Sequence, residues 1–189
     1  MLKAEARKIY REKRMVLKET ERAKMDDLLL IQFQQIPLPF LQCMLAYWPM
    51  EKNKEVNTHL VADYLAFSNP GMRMAYPRTN IAALTMEAVE VNEETEFVQN
   101  AYHIFEPVGG EVMDPAEPDL VLVPQLICDL QGYRAGYGKG FYDRYLAGCR
   151  KDCIKIGFSY FEPVDRLDDR NEFDIPLNYC VTPQRIYVF

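Results

Sequence analysis

Up to Pro37 the chain has no glycine and no proline, and alanine, leucine, lysine, arginine and glutamate dominate. That pattern predicts helix over residues 2–35. Thr20 followed by Glu21 marks a break, with Thr20 as the cap of a second helix carrying Leu28-Leu29-Leu30-Ile31 and Phe33. After Pro37 and Pro39 the pattern changes to short, continuous apolar runs. Cys43-Met44-Leu45-Ala46-Tyr47-Trp48, closed by Pro49, reads as a buried strand, and so does Leu120-Val121-Leu122-Val123, closed by Pro124. Between them, residues 56–67 place Leu60, Val61, Tyr64 and Leu65 at helical spacing behind Asn57 or Thr58. Asn69-Pro70-Gly71 is a turn, and residues 72–76 form a short strand that Pro77-Arg78 ends. Strand, helix, strand in that order is one crossover unit of a parallel sheet. Alternation over 86–91 predicts a strand exposed on one face, residues 93–102 a short helix, and residues 104–107 the entry to a loop running to Pro118. A helix is expected over 141–147 and strands over 155–160, 178–182 and 186–189, with a charged connection over 162–171 and an acidic loop over 172–177.

Composition narrows this picture. A chain of 189 residues is long enough for one domain with a real core, here with residues 1–36 as a helical arm. Hydrophobic residues make up 49% and charged residues 26%, an ordinary globular balance. A net charge of −6 argues against general nucleic-acid binding. No apolar run reaches the roughly 18 residues a membrane span needs. The opening MLKAEARKIYREKR lacks the apolar centre of a secretory signal, so a cytoplasmic protein is expected. The five cysteines include no CxxC pair, and with two histidines, His59 and His103, they read as reduced thiols rather than a zinc site.

The candidate chemistry lies in LVLVPQLICDLQGYRAGYGKGFYDRYL, residues 120–146. A buried strand leads through a loop holding Gly132, Gly136, Gly138 and Gly140 into a helix at Phe141. Backbone N–H groups in such a loop can face a phosphate, with Lys139 as a mobile charge and Asp143 placed to hold a metal. A flexible surface turn is the other reading. The loop is not a Walker A motif, because Gly140 and Phe141 follow Lys139 where Ser or Thr is required, and the alternating glycines miss the dinucleotide fingerprint. In the first helix Lys3, Arg7, Arg11 and Arg14 recur on one face, either as a solvated face or as an arm lending cations to a phosphate. No Ser-His or Cys-His arrangement suggests a covalent nucleophile. Phosphoryl transfer, which needs positioning and charge neutralisation, suits these residues better.

GYRAGYGKGFYDRYL (132–146), preceded by DLVLVP (119–124), resembles the hallmark of the 5-formyltetrahydrofolate cyclo-ligase family, also called methenyltetrahydrofolate synthetases. Other pieces match in order: Lys3 and Arg7 in a basic first helix, Glu55-Val56-Asn57-Thr58, Pro77-Arg78, Glu106-Pro107, and Asp174 in a late loop. The resemblance implies a three-layer α/β/α sandwich with a mostly parallel sheet. It also implies a reaction in which ATP and Mg²⁺ convert 5-formyltetrahydrofolate to 5,10-methenyltetrahydrofolate, with ADP and phosphate released. The formyl oxygen is phosphorylated, nitrogen 10 attacks the activated carbon, and phosphate leaves.

Carried onto this sequence, the family's pattern assigns ATP to Lys3, Arg7 and the loop Arg134, Ala135, Gly136, Tyr137, Gly138, Lys139, Gly140, Phe141 and Tyr142. Lys139, Arg134 and Tyr142 become the catalytic candidates. Trp48, Glu55, Tyr137, Gly138, Lys139, Gly140 and Phe141 would meet the folate, with Glu55 on the pterin beside Tyr47 or Trp48. Asp143 and Asp174 would hold Mg²⁺. The implied partner is a small-molecule folate, with no nucleic acid, no membrane and a monomeric chain. Departures from the family's pattern are Gln125 in place of Gly, Ile127-Cys128-Asp129, Phe173 before Asp174, Thr182-Pro183, and a longer loop over 51–54. The alternatives are a non-catalytic relative binding nucleotide or folate, and a small-molecule kinase using the same loop. Lys139 and Asp143, both present, argue against the first, and Glu55 against the second.

Overall fold

The computed structural model describes residues 1–189. Two helices lead the chain, α1 (Lys3–Val16) and α2 (Glu19–Phe33). The break falls two residues earlier than a Thr20 cap requires: Lys18 is the cap position, and the Glu21 carboxylate accepts its N–H at 2.9 Å. β1 (Cys43–Leu45), a 3₁₀ turn (Glu51–Asn53) and α3 (His59–Ser68) follow. Next come β2 (Arg73–Asn80), β3 (Thr85–Val91), β4 (Phe97–Gln99), β5 (Phe105–Pro107) and β6 (Val112–Met113). The chain ends with β7 (Leu120–Val123), β8 (Ile127–Cys128), β9 (Arg134–Ala135), α4 (Phe141–Leu146), β10 (Ile154–Phe158), β11 (Tyr179–Val181) and β12 (Ile186–Val188).

Eight strands form one sheet in the order β12-β11-β10-β7-β1-β2-β3-β6. The five central strands are parallel, and β12, β3 and β6 join antiparallel at the edges. Alternate residues of the central strands serve opposite faces, as the pleat requires. Met44, Leu120, Leu122, Ile156 and Phe158 pack with Leu29 and Phe33 of α2 and with Val61 and Leu65 of α3. Cys43, Leu45, Val121 and Val123 pack on the other face with Tyr145 and Leu146 of α4. Layers on both faces of a mostly parallel sheet are the α/β/α sandwich that the resemblance implied. No helix is long and apolar enough to cross a membrane.

Three further expectations fail for identifiable reasons. Pro77 does not end β2, which pairs with β3 as far as Asn80–Thr85. β1 pairs with β2 only as far as Ala75, so Pro77 lies where that side of the strand has no neighbour and its missing N–H breaks no ladder bond. Residues 93–102 are not helical, and residues 104–107 are not a loop entry: β4 and β5 form a hairpin. Phe97 packs its ring 4.8 Å from that of Trp48, while the Asn100 side chain accepts the N–H groups of Tyr102 and Ile104 to close the turn. This tertiary burial outweighs the helix-forming glutamates before it.

The sheet also explains Gln125. Gly157 on β10 has no side chain, and a Cβ there would stand 2.7 Å from Gln125 Nε2 and from Leu177 Cδ1. Gln125 is therefore the side chain that fills the space over Gly157, donating toward the Phe158 carbonyl at 3.4 Å.

Candidate active site

β1 and β7 are neighbours whose chains then depart in opposite directions, β1 toward β2 and β7 toward β10. The loops leaving their carboxyl ends thus open onto a topological switch point, where doubly wound sheets bind ligands. One loop carries Glu55 and the other the glycine segment.

The glycine segment is held from three sides. Its stem is the β8–β9 hairpin, whose turn is built on the fully buried Asp129. Asp129 Oδ1 accepts the N–H groups of Gln131 and Tyr133 at 3.0 Å each, and Oδ2 accepts that of Leu167 at 3.0 Å. Sequence reasoning noted Asp129 only as a departure; its turn contacts to Gln131 and Tyr133 are local, but the partner that ties the hairpin to the late segment, Leu167, lies 38 residues on. Helix α1 lies against this hairpin, with Ala6 and Tyr10 packed on Ile127 and Ala135. Three of the four residues of the basic stripe are accordingly not on a solvated face: Lys3 and Arg14 are buried, and Arg7 Nε donates to the Gly136 carbonyl at 2.8 Å, while Arg11 stays exposed. From the third side the late loop delivers Asp174, whose Oδ2 accepts from Lys3 Nζ at 2.5 Å and from the Asn171 N–H at 2.7 Å.

Arg134 and Asp143 lock the two ends of the segment together. Arg134 Nη2 pairs with Asp143 Oδ1 at 2.8 Å, and the same oxygen accepts the Ile175 N–H at 3.1 Å. Burial pushes the Arg134 pKa down, and the Asp143 charge and hydrogen bond oppose it, with Asp174 adding to the same effect. Asp143 Oδ2 and Asp174 Oδ1 take part in no hydrogen bond. Two carboxylates, each with one oxygen anchored and one free, are oxygen donors of the kind that could hold a hard divalent cation.

The tip of the segment separates the residues by role. Ala135 is buried in the hairpin core, and its carbonyl accepts the Leu126 N–H, so its side chain faces away from any ligand. Gly138 and Gly140 adopt φ of +84° and +71°. A Cβ on Gly138 would lie 3.1 Å from the Arg7 guanidinium, so Gly138→Ala adds left-handed strain of about 1–2 kcal/mol. We expect that variant to lose about tenfold in kcat/KM, the equivalent of 1.4 kcal/mol, as steady-state kinetics would show. Lys139 is exposed, and its ammonium has no ion-pair partner. Phe141 and Tyr142 pack against the α4 side of the core, and the Tyr142 hydroxyl is buried without a hydrogen bond. Burial first, and then the charge on Glu55, pushes the Tyr142 pKa well up, so that hydroxyl stays protonated. The six-residue α4 supplies a correspondingly small dipole, and side chains carry most of the positive character here.

On the β1 side, Glu55 is buried in a chain of polar contacts. Met50 N–H donates to Glu55 Oε2 at 2.7 Å, the Tyr137 hydroxyl donates to Oε1, and Arg14 Nη2 donates to the Tyr137 oxygen at 2.7 Å. Burial pushes the Glu55 pKa up, against the Met50 and Tyr137 hydrogen bonds and the Arg14 charge. Of the two aromatic residues after β1, Tyr47 is the one beside Glu55, whose charge adds to burial in raising its pKa. Trp48 instead enters an aromatic cluster, with ring centroids 4.8 Å from His59 and Phe97 and 5.0 Å from Phe105. A cavity of about 220 Å³ adjoins it, lined by Met50, Lys52, Gln99, His103 and Phe105 among others.

A parallel-centred α/β sheet with a cation-rich glycine loop and a buried carboxylate meeting at its switch point is the architecture of a small-molecule α/β enzyme. Comparison with known proteins gives the family. The model of the 5-formyltetrahydrofolate cyclo-ligase family matches residues 2–183, and the chain belongs to that family. It is 28% identical over 182 residues to a 5-formyltetrahydrofolate cyclo-ligase of Mycoplasma pneumoniae, covering 94% of this chain and 96% of that one. It is 31% identical over 155 residues to a probable 5-formyltetrahydrofolate cyclo-ligase of Schizosaccharomyces pombe, covering 74% of each. The solved structure of Aquifex aeolicus 5,10-methenyltetrahydrofolate synthetase superposes with a TM-score of 0.80 at 28% identity, covering 100% of this chain and 93% of that one.

Proposed function

We propose that this protein closes the ring of 5-formyltetrahydrofolate to give 5,10-methenyltetrahydrofolate, using ATP and Mg²⁺ and releasing ADP and phosphate. The observation that carries this reading is that one loop serves two ends. At Asp143 it is tied to Arg134 and to Ile175 of the late loop, whose Asp174 pairs with Lys3, and at Tyr137 it reaches Glu55. The first end suits a polyphosphate and the second the donor edge of a pterin.

In this scheme Lys3 and Arg7 hold ATP phosphates against the loop from Arg134 to Tyr142. Asp143 and Asp174 hold Mg²⁺, which neutralises charge on the phosphate oxygens. Glu55 fixes the pterin, Tyr137 and Phe141 flank it, and Trp48 with its aromatic neighbours borders the approach. Lys139 follows the terminal phosphoryl group as it moves to the formyl oxygen, where an O–P bond forms as the bond to ADP breaks. Nitrogen 10 then attacks the formyl carbon and loses its proton, and the C–O bond breaks with phosphate leaving. The protein's task is positioning and charge neutralisation, in keeping with the absence of a nucleophile triad. We place the reaction in the cytoplasm, where the five unpaired cysteines stay reduced.

The test mixes protein, MgATP and 5-formyltetrahydrofolate and follows the near-ultraviolet absorbance of the methenyl product. Product is expected only when both substrates and Mg²⁺ are present. Folded protein that makes none, or makes it equally without ATP, would overturn the assignment.

A further inference from the structure

Arg14 is the anomaly of the site. It is only 4% exposed, yet no carboxylate lies within 4.0 Å of its guanidinium. Its Nε has no hydrogen-bond partner, and its Nη1 reaches the Gln125 carbonyl only at 3.5 Å, the limit of a useful bond. The one good contact is Nη2 on the Tyr137 oxygen at 2.7 Å. Glu55 offsets the Arg14 charge only through the intervening Tyr137 hydroxyl, and desolvating a guanidinium without a direct ion pair is unfavourable, because buried arginines are ordinarily paired. Arg22, whose Nε is also buried without a partner, differs: it is only half-buried, has Glu51 at 4.0 Å and donates to the Glu55 carbonyl.

Position adds the second observation. Along α1, Lys3 meets Asp174, Arg7 meets Gly136, and Arg14 meets the residue that caps Glu55. At a rise of 1.5 Å per residue the stripe spans about 16 Å, from the proposed metal end to the proposed folate end. Tyr137 sits between Gly136 and Gly138, and its hydroxyl bridges Arg14 and Glu55 while leaving Arg14 Nε unpaired.

Resting on the folate reading above, we propose that Arg14 is a binding residue for the transferred phosphoryl group, held in reserve by Tyr137. The donor edge of the substrate takes the place of the Tyr137 hydroxyl on Glu55. Tyr137 then leaves Arg14, whose Nε and Nη2 turn to the phosphoryl oxygens at the acceptor end. Arrival of the acceptor thereby creates the cation that receives the donor's phosphate, and the two substrates bind with positive coupling. Bidentate geometry makes arginine, rather than lysine, the fitting residue.

The test measures affinities for 5-formyltetrahydrofolate and for a non-hydrolysable ATP analogue with Mg²⁺, each alone and together, by calorimetry. In the wild-type protein the folate should tighten analogue binding about tenfold. In Tyr137→Phe the folate alone should bind several-fold tighter, because its competitor on Glu55 is gone, and the coupling should fall to about one. In Arg14→Gln, kcat should fall about 10²-fold while analogue affinity without folate is unchanged; Arg14→Lys should recover only part of kcat. A Tyr137→Phe protein with wild-type folate affinity and coupling would overturn the latch, as would Arg14→Gln with normal kcat. Should Arg14→Gln fail to fold, Tyr137→Phe still decides. Wild-type protein that binds both ligands but makes no methenyl product would overturn the functional reading, while the binding measurements still decide the latch.

Discussion

Lys139→Ala should lower kcat about 10²–10³-fold, the effect of removing a preorganised group that stabilises transition-state charge. Its unfolding midpoint should match that of the wild type. The reason lies in how the other cations are committed. Lys3 is held by Asp174, Arg134 by Asp143, and Arg7 by the Gly136 carbonyl. Arg144, just beyond, donates to the carbonyls of Lys139 and Leu84. Lys139 alone in the loop has an exposed ammonium without a partner, between two glycines of positive φ that let the backbone approach a ligand closely. Truncating an exposed side chain with no hydrogen bond removes nothing the fold relies on. Steady-state kinetics beside a thermal melt decides the matter. Turnover within a few-fold of wild type would remove Lys139 from the chemistry.

The sequence made the central strands and the glycine loop legible because both are local signals. Leu120–Val123 is a continuous apolar run, and all four residues are fully buried between layers. The alternating glycines and Asp143 occur within a dozen residues of one another. What stayed hidden was carried by contacts distant in sequence. The basic stripe on α1 was visible as periodicity, but its burial depends on a hairpin more than 120 residues away. The hairpin at Phe97–Pro107 carries no strand signal strong enough to stand alone, because the packing that completes it comes from Trp48, about 50 residues earlier. Trp48 and Tyr47 were interchangeable as neighbours of Glu55 until the loop after β1 set their directions. Arg14 is one basic residue among four, and only its burial with an unpartnered Nε sets it apart.

Asp143→Asn separates what the fold needs from what the reaction needs. The wild-type carboxylate anchors Arg134, whose side chain is 5% exposed, and accepts the Ile175 N–H from the late loop. Asparagine keeps the shape and one accepting oxygen but removes the charge. Stripping the partner from a fully buried ion costs about 3–5 kcal/mol. Asp143 is 28% exposed and Asp174 still acts on Arg134, so a loss nearer 1–3 kcal/mol is expected, read as a lowered urea midpoint. Activity should fall as well, with the Mg²⁺ titration displaced to higher concentration, because Asp143 Oδ2 is proposed to reach the ion. A single variant confounds the two effects, since a loosened Arg134 would also disturb the loop. Adding Arg134→Gln resolves this: a neutral Gln–Asn pair leaves no unpaired buried charge, so stability should return toward wild type. If Asp143 binds the metal, the Mg²⁺ titration of the double variant is displaced relative to that of Arg134→Gln alone. If its role is only to hold Arg134, the two titrations coincide.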